Sequence, residues 1–132
     1  RKIRVSKHTT LQGSLLGTGF PFRDQKDWLE LYLDIFTDFT KIVGAIRRPG
    51  SAALDLAYVA SGRYDGFWEF GLKPWDVAAG VLLIQEAGGI VQNIIPDTDP
   101  VESGSLFCGN PKIFEGMQEI IHPYDKRLKA FA

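Results

Sequence analysis

The stretch KPWDVAAGVLLIQEAGG, residues 73 to 89, places an acidic residue where an apolar helix begins. The residues from Val77 to Ala87 are apolar on nearly every side of a helix, and Gly88 and Gly89 mark its end. We therefore predict a largely buried helix. Asp76 has two interpretations, because its carboxylate can cap the helix by accepting a hydrogen bond from a free amide or can bind a metal ion.

Outward from this helix, strand-like and helix-like segments alternate along the chain. Apolar residues from Trp28 to Phe39 recur every three or four positions, which predicts an amphipathic helix starting at Asp27. Ser51 and Asn110 are suited to cap two further helices, the first of which ends at Gly62. The remaining segments are a strand and loop in residues 3 to 20, a short apolar segment KIVGAI, and strands at YDGFWEFG, GIVQNII and SLFCG. This alternation predicts an α/β architecture.

Size and composition restrict the class of protein. The chain has 132 residues, the size of one domain, and 45% of them are hydrophobic, with no apolar run of the ~20 residues that span a bilayer. Fifteen basic and sixteen acidic residues give a net charge of −1, so we expect neither membrane insertion nor direct binding to duplex nucleic acid. The single cysteine, Cys108, excludes an internal disulfide and a multi-cysteine zinc site, and it fits a cytoplasmic protein.

Two carboxylates and one loop are candidates for chemistry. Glu69 precedes Asp76 by seven residues, with Gly71 and Pro74 between them, so a strand end and a helix start can present both acids to one cleft. The alternative is a strand-edge charge and a helix cap.

The loop that contains Gly50 and Ser51 leads into a helix N-terminus. Free amides at such a helix start can bind an anion or a hydroxyl group, although a plain turn and cap fit the same residues. We expect Asp55 to be a solvated helical charge, Glu86 to be structural, and His8 and His122 to be ordinary loop residues.

At this point the residues resemble a known family. GLKPWDVAAGVLLIQEAGG is similar to the second signature of the inositol monophosphatase family, in which W-D opens a helix that ends in E-A-G-G. The upstream run RRPGSAALDLAYVASGRYDGFWE resembles the segment that precedes this signature, most closely in the bacterial SuhB type, and GTGFP at residues 17 to 21 matches too. The resemblance covers essentially the whole chain.

The resemblance implies a fold and a domain. Residues 1–132 correspond to a single C-terminal domain, the α/β layer of the inositol monophosphatase and sugar phosphatase fold, in which a sheet is flanked by helices. The family's metal-binding N-terminal half, with its G-E-E and D-P-[ILV]-D-G-T stretches, has no counterpart in this sequence. We expect the gene to encode a longer chain that contains that half.

The resemblance also implies roles for named residues. Asp76 corresponds to a catalytic, metal-ligating carboxylate that also faces the substrate hydroxyl beside the phosphate. Glu69 corresponds to the acid that hydrogen-bonds a ring hydroxyl, and Gly50, Ser51 and Ala52 correspond to the residues that line the polyol.

Two arginines precede that loop. Arg47 corresponds to a residue near the dimer interface that helps to orient the pocket acid, although a plain surface arginine fits as well, and we expect Arg48 to be a surface residue.

The implied reaction is Mg²⁺-dependent hydrolysis of inositol 1-phosphate or a related phosphate monoester, by a complete homodimeric protein that holds two or three Mg²⁺ ions. Because Mg²⁺ needs several oxygen ligands, we expect this chain alone to be inactive. Alternatives are a fructose-1,6-bisphosphatase or another sugar or nucleotide phosphatase of the same superfamily. A third alternative is a non-catalytic interaction module for the transcription and RNA-processing machinery.

Overall fold

The fold is a five-stranded mixed sheet with helices on both faces, in a computed structural model that describes residues 3–19, 26–48 and 50–130. The strands are β1 (Leu15–Thr18), β2 (Ala45–Arg47), β3 (Gly66–Glu69), β4 (Ile90–Asn93) and β5 (Leu106–Gly109). Their order across the sheet is β2-β1-β3-β5-β4, with β1 parallel to β2 and β3, and β5 antiparallel to β3 and β4. The predicted α/β architecture is confirmed.

The helices follow the predicted order with three additions. They are α1 (Lys26–Thr40), α2 (Ala52–Ala60), α3 (Pro74–Glu86), α4 (Pro100–Ser103), α5 (Pro111–Ile121) and α6 (Asp125–Lys129). Sequence reasoning missed α4, α6 and the 3₁₀ turn His122–Tyr124 that joins α5 to α6. Ser51 caps α2 and Asn110 caps α5, as predicted, because each side chain accepts a hydrogen bond from a first-turn amide.

The sheet separates two apolar cores. Alternate residues of a strand point to opposite faces, so Trp68 of β3 packs with α1 and α5 whereas Phe67 packs with α2 and α3. Trp68 is fully buried and stacks on Phe39, with ring centroids 4.4 Å apart. Cys108 is buried in the second core and serves packing there.

The predicted first strand is shorter than its sequence pattern. Within residues 3–14 only one isolated bridge pairs with another segment, between Gln12 and Val43, and regular pairing starts at β1. This segment is held at separate points instead: the Val5 amide donates to the Ala87 oxygen at 3.1 Å, and the Asn110 side-chain amide donates to the backbone oxygens of Ser6 and His8 at 2.9 and 2.8 Å. Phe20 and Pro21 of the GTGFP stretch, and Pro49, lie outside the described residues.

The prediction that α3 is largely buried is wrong. One side of α3 packs closely on α2, where a Cβ on Gly80 would lie 2.6 Å from the Leu56 side chain. Its other side is exposed, with Trp75 at 76% and Leu82 at 59% of their full exposure. No described residue covers that side, so an all-apolar helix here is buried on one face only.

Within the described ranges, no helix combines the length and the apolar character that crossing a bilayer requires.

Candidate functional site

The parallel strands β1, β2 and β3 bring three chain segments together at one edge of the sheet. Their carboxyl ends lead to Gly19, Arg48 and Glu69, and all three residues line a cavity of about 320 Å³. The starts of α2 and α3 complete the cavity wall. Clefts at the carboxyl ends of strands are the usual ligand sites of α/β sheets, which makes this cavity the candidate site.

Asp76 lies in the first turn of α3 and lines the cavity. The interpretation of Asp76 as the helix cap is wrong, because Pro74 and Trp75 are already helical and Lys73 occupies the cap position without a side-chain hydrogen bond. The Asp76 side chain is exposed, and its negative charge near the helix N-terminus is favourable. The carboxylate is therefore available to a ligand or a cation.

Glu69 is the last residue of β3 and is only 8% exposed, although it lines the cavity. Burial raises the pKa of its carboxyl group to about 8, with further raising by the charges of Asp55 and Asp76 and an opposing effect of Arg48. At pH 7 the group therefore carries a proton and can both donate and accept hydrogen bonds.

The Glu69 carboxyl group has room only because residue 19 is a glycine. A Cβ on Gly19 would lie 2.3 Å from Oε1 of Glu69, which is far inside van der Waals contact. Sequence reasoning included Gly19 in the GTGFP match but gave it no role. A glycine directly after a strand is the signal that could have found it.

The predicted loop residues Gly50, Ser51 and Ala52 also line the cavity. Gly50 has φ of 92°, a left-handed conformation that favours glycine, and it turns the chain from β2 into α2. The Ser51 hydroxyl accepts from the Leu54 amide at 3.4 Å, a long cap bond, and the first amides of a helix have no partner within the helix.

The two arginines differ in whether they line the cavity. Arg47 is exposed at the end of β2 and does not line the cavity, whereas Arg48 does. Arg48 is exposed, as expected, and it also lines the cavity together with Glu69 and Asp76.

Asp55 is the clearest difference between sequence and structure. It was expected to be a solvated charge, but it is fully buried in α2, and neither carboxylate oxygen has a hydrogen-bond partner among the described residues. Burial raises the pKa of this group to about 6. Its charge also raises the pKa of Glu69 and of Tyr64, so Asp55 lies close behind the cavity wall.

The described residues do not form a metal site by themselves. Nowhere among them do three His, Cys, Asp or Glu side chains lie close enough to hold a metal ion. Asp76 offers one hard oxygen ligand, which is too few for the near-octahedral shell of Mg²⁺.

A second cavity of about 410 Å³ shares no lining residue with the first. We place the candidate site in the smaller cavity because strand ends, two helix N-termini and the pair Glu69 and Asp76 converge there. Protonated Glu69, cationic Arg48 and free helix amides suit a ligand with hydroxyl groups and a negative charge.

Comparison with known proteins places this geometry in a family. The family model described as "Inositol monophosphatase family" matches residues 1–125. The "Nus factor SuhB" of Pseudomonas aeruginosa is 52% identical over 94% of this chain and 46% of its own length.

Solved structures agree in fold. The extragenic suppressor protein suhB from Bartonella henselae has a TM-score of 0.84 at 39% identity, over 92% of this chain and 46% of its own. An inositol monophosphatase from Anabaena has a TM-score of 0.83 at 40% identity, over 93% of this chain and 50% of its own. The chain thus spans about half the length of the relatives it matches.

Proposed function

The chain belongs to the inositol monophosphatase family, and from that premise we propose that it forms the polyol-binding part of an enzyme that hydrolyses phosphate monoesters, inositol 1-phosphate first among them. The observation that carries the proposal is the convergence of Glu69, Asp76 and the Gly50–Ala52 loop on one cavity. These residues lie in three separate parts of the chain, at the end of β3, in the first turn of α3 and at the start of α2.

The roles follow from the chemistry of each group. Protonated Glu69 donates to and accepts from a ring hydroxyl, and its depth in the cavity fixes the orientation of the ring. The small side chains of Ser51 and Ala52 leave room for a polyol, whose hydroxyls are bound by the free amides of α2. Asp76 accepts from the hydroxyl beside the phosphate and contributes one oxygen to the metal site.

We propose that the remaining metal ligands belong to a metal-binding N-terminal half of the full-length protein. Bound Mg²⁺ would activate a water molecule and stabilise the leaving oxygen. The residues of this chain do not form that site alone, and we expect the isolated 132-residue chain to be inactive. We further propose that the full-length protein is a cytoplasmic homodimer with Arg47 near its interface.

A second candidate function rests on the relatives. Several are named Nus factors, and the exposed apolar side of α3 offers a surface that a protein could cover. We infer a contact with the transcription machinery as the alternative role. A phosphatase acting on fructose 1,6-bisphosphate or another sugar or nucleotide phosphate is the alternative within enzymes.

The test is Asp76→Asn in the full-length protein, assayed with inositol 1-phosphate and Mg²⁺. We expect the rate to fall at least roughly a hundredfold, because a charged metal ligand is lost, while the melting temperature changes little since the residue is exposed. Glu86→Gln, an exposed acid in the last turn of the same helix, is the matched control and should leave the rate unchanged.

Full activity of the Asp76→Asn protein would refute the assigned role. Turnover of about 1 per second or more by the 132-residue chain alone would refute the requirement for ligands outside it.

A further inference from the structure

The loop of residues 70–73 joins the two acids of the candidate site. Glu69 ends β3 and Pro74 starts α3, so only these four residues separate Glu69 from the helix that carries Asp76. Leu72, within the loop, lines the cavity together with both acids. The course of the loop therefore determines where the two carboxyl groups lie relative to each other.

The residues that lead into β5 hold this loop. Because β5 runs antiparallel to β3, the start of β5 lies at the edge of the sheet where β3 ends. There the Ser105 hydroxyl oxygen accepts a hydrogen bond from the Gly71 amide at 2.9 Å. The backbone oxygen of Gly104 accepts from the Leu72 amide, also at 2.9 Å. Two consecutive amides of the loop are thus bound by two consecutive residues of another chain segment.

Ser105 is itself fixed in place. It is fully buried, its amide donates to the Ser103 hydroxyl at 3.1 Å, and its backbone oxygen accepts from the Ile94 amide at 3.0 Å. Since both backbone groups of Ser105 are bonded to residues outside the loop, its hydroxyl is an anchor whose position does not depend on the loop that it holds.

Gly104 allows the two segments to approach each other. Its φ of 71° is a left-handed conformation that favours glycine. A Cβ at this position would overlap with the Leu72 backbone oxygen and would lie 2.6 Å from the carbonyl carbon of Leu72. Only a glycine therefore lets the backbone before β5 come this close to the loop.

We propose that Ser105 and Gly104 are positioning residues for the polyol site, because they hold the loop of residues 70–73 and so set the spacing between Glu69 and Asp76. Neither of them is among the described residues that line the cavity, so they act through the loop. The inference rests on the proposed function, in which Glu69 orients the polyol ring and Asp76 contributes to the metal site. Misplacement of a substrate by about 1 Å can cost a factor of about 100 in rate, so the spacing of the two acids matters.

The experiment uses Ser105→Ala in the full-length protein, which removes the acceptor of the Gly71 amide. We expect kcat/KM for inositol 1-phosphate to fall about tenfold. Hydrogen exchange of residues 70–73 should rise at least about threefold, while exchange in β3 stays as in the parent protein. Ser105→Cys keeps the size of the side chain but is a weaker acceptor, so it should change both quantities in the same direction by less.

Ser14→Ala is the matched control. Ser14 is also buried, and its hydroxyl donates to the backbone oxygen of Leu11 at 2.6 Å. It precedes β1, whose start lies at the opposite edge of the sheet from the cavity. Ser14→Ala should therefore lower the melting temperature but leave kcat/KM unchanged.

A double-mutant cycle with Glu69→Ala separates positioning from a general weakening of the fold. If Ser105 acts by placing the Glu69 carboxyl group, Ser105→Ala should cost less than about twofold in kcat/KM once that group is absent. Equal losses with and without Glu69 would overturn the positioning role, and so would unchanged hydrogen exchange of residues 70–73.

The activity of the parent protein distinguishes this inference from the proposed function. An active parent whose kcat/KM is unchanged by Ser105→Ala would refute the positioning role alone. A full-length parent that does not hydrolyse inositol 1-phosphate would refute the proposed function, and the positioning role with it.

Discussion

The helices α5 and α3, on opposite faces of the sheet, differ in the polarity of their exposed sides. On one face, α5 buries Ile113, Phe114, Met117 and Ile121 and exposes a charged side with Lys112, Glu115 and Glu119. On the other face, α3 buries Val77, Gly80, Val81 and Ile84 but also exposes Trp75, Leu82 and Leu83. The outer side of α5 is therefore polar, whereas the outer side of α3 is apolar and open.

The face of the sheet that carries α3 also carries the candidate site. Glu69 and Asp76 lie at its edge, and Asp55 is buried in α2 on the same face. The candidate site and the exposed apolar side of α3 therefore lie on the same face of the sheet. We propose that the rest of the full-length protein packs on this face and reaches the cavity from there.

The largest predicted effect is the difference in stability loss between a substitution in α5 and one in α3. In the 132-residue chain, Ile113→Ala should reduce the free energy of unfolding by about 3 kcal/mol, because it opens a cavity in a fully buried region. Leu82→Ala should reduce it by less than about 1 kcal/mol, since Leu82 is 59% exposed. Urea denaturation measures both.

The same two substitutions in the full-length protein test whether other parts of the protein cover α3. Leu82→Ala should be more harmful there than in the 132-residue chain if other parts of the protein cover α3. Equal losses for Ile113→Ala and Leu82→Ala in the 132-residue chain would contradict the distinction between the buried side of α5 and the exposed side of α3.

A smaller effect should come from pH. The native pKa values of Asp55 and Glu69, about 6 and about 8, are raised above those of the unfolded chain, so the native state holds these protons more tightly. The resulting stabilisation is complete below about pH 4 and is lost as the pH rises through 6 and 8. The free energy of unfolding should therefore decrease as the pH rises from 4 towards neutral.

Asp55→Asn tests this dependence. Between pH 4.5 and 7.5 the variant should gain about 2 kcal/mol of stability relative to the parent chain, because an amide has no charge to bury. Glu86→Gln, which removes an exposed charge, should follow the parent. Parallel stability curves for Asp55→Asn and the parent would show that Asp55 ionises as easily in the fold as in the unfolded chain, so that burial does not raise its pKa.

The smallest effect concerns association. We expect the 132-residue chain to self-associate or to bind a hydrophobic dye through the exposed side of α3, and Leu82→Glu should reduce the signal by about half. Leu33→Glu, at an exposed leucine of α1, is the matched substitution on the other face and should have little effect. Light scattering that shows a monodisperse monomer without dye binding would mean that the apolar side of α3 is stable in water.

Local sequence patterns predicted those elements whose start is marked by neighbouring residues, such as a helix cap. Asn110 followed by Pro111 predicted the start of α5, and Ser51 predicted the start of α2, because a cap and its first turn are neighbours in the chain. The pattern over residues 3–14 did not give a strand, since pairing depends on which segment lies alongside, and there the Asn110 side chain binds the backbone instead.

The site was predictable only through resemblance. Spacing alone left Asp76 undecided between a cap and a ligand, and the structure excludes the cap because Pro74 starts the helix earlier. Arg48 and Gly19 could not be selected from spacing, because their places in the cavity depend on parallel strands that are far apart in sequence.

The sequence by itself determined the order of the elements other than β2, α4, α6 and the 3₁₀ turn, two of the helix caps and, through its motifs, the family and the carboxylates of the candidate site. Only the tertiary structure decided which charges are buried and which apolar residues are exposed. Asp55 and Leu82 show the reason, since each lies on a regular helix whose own pattern predicts the opposite environment. Burial is a property of what packs against a side chain, and the packing partners of these two residues come from distant parts of the chain or are absent from the described residues.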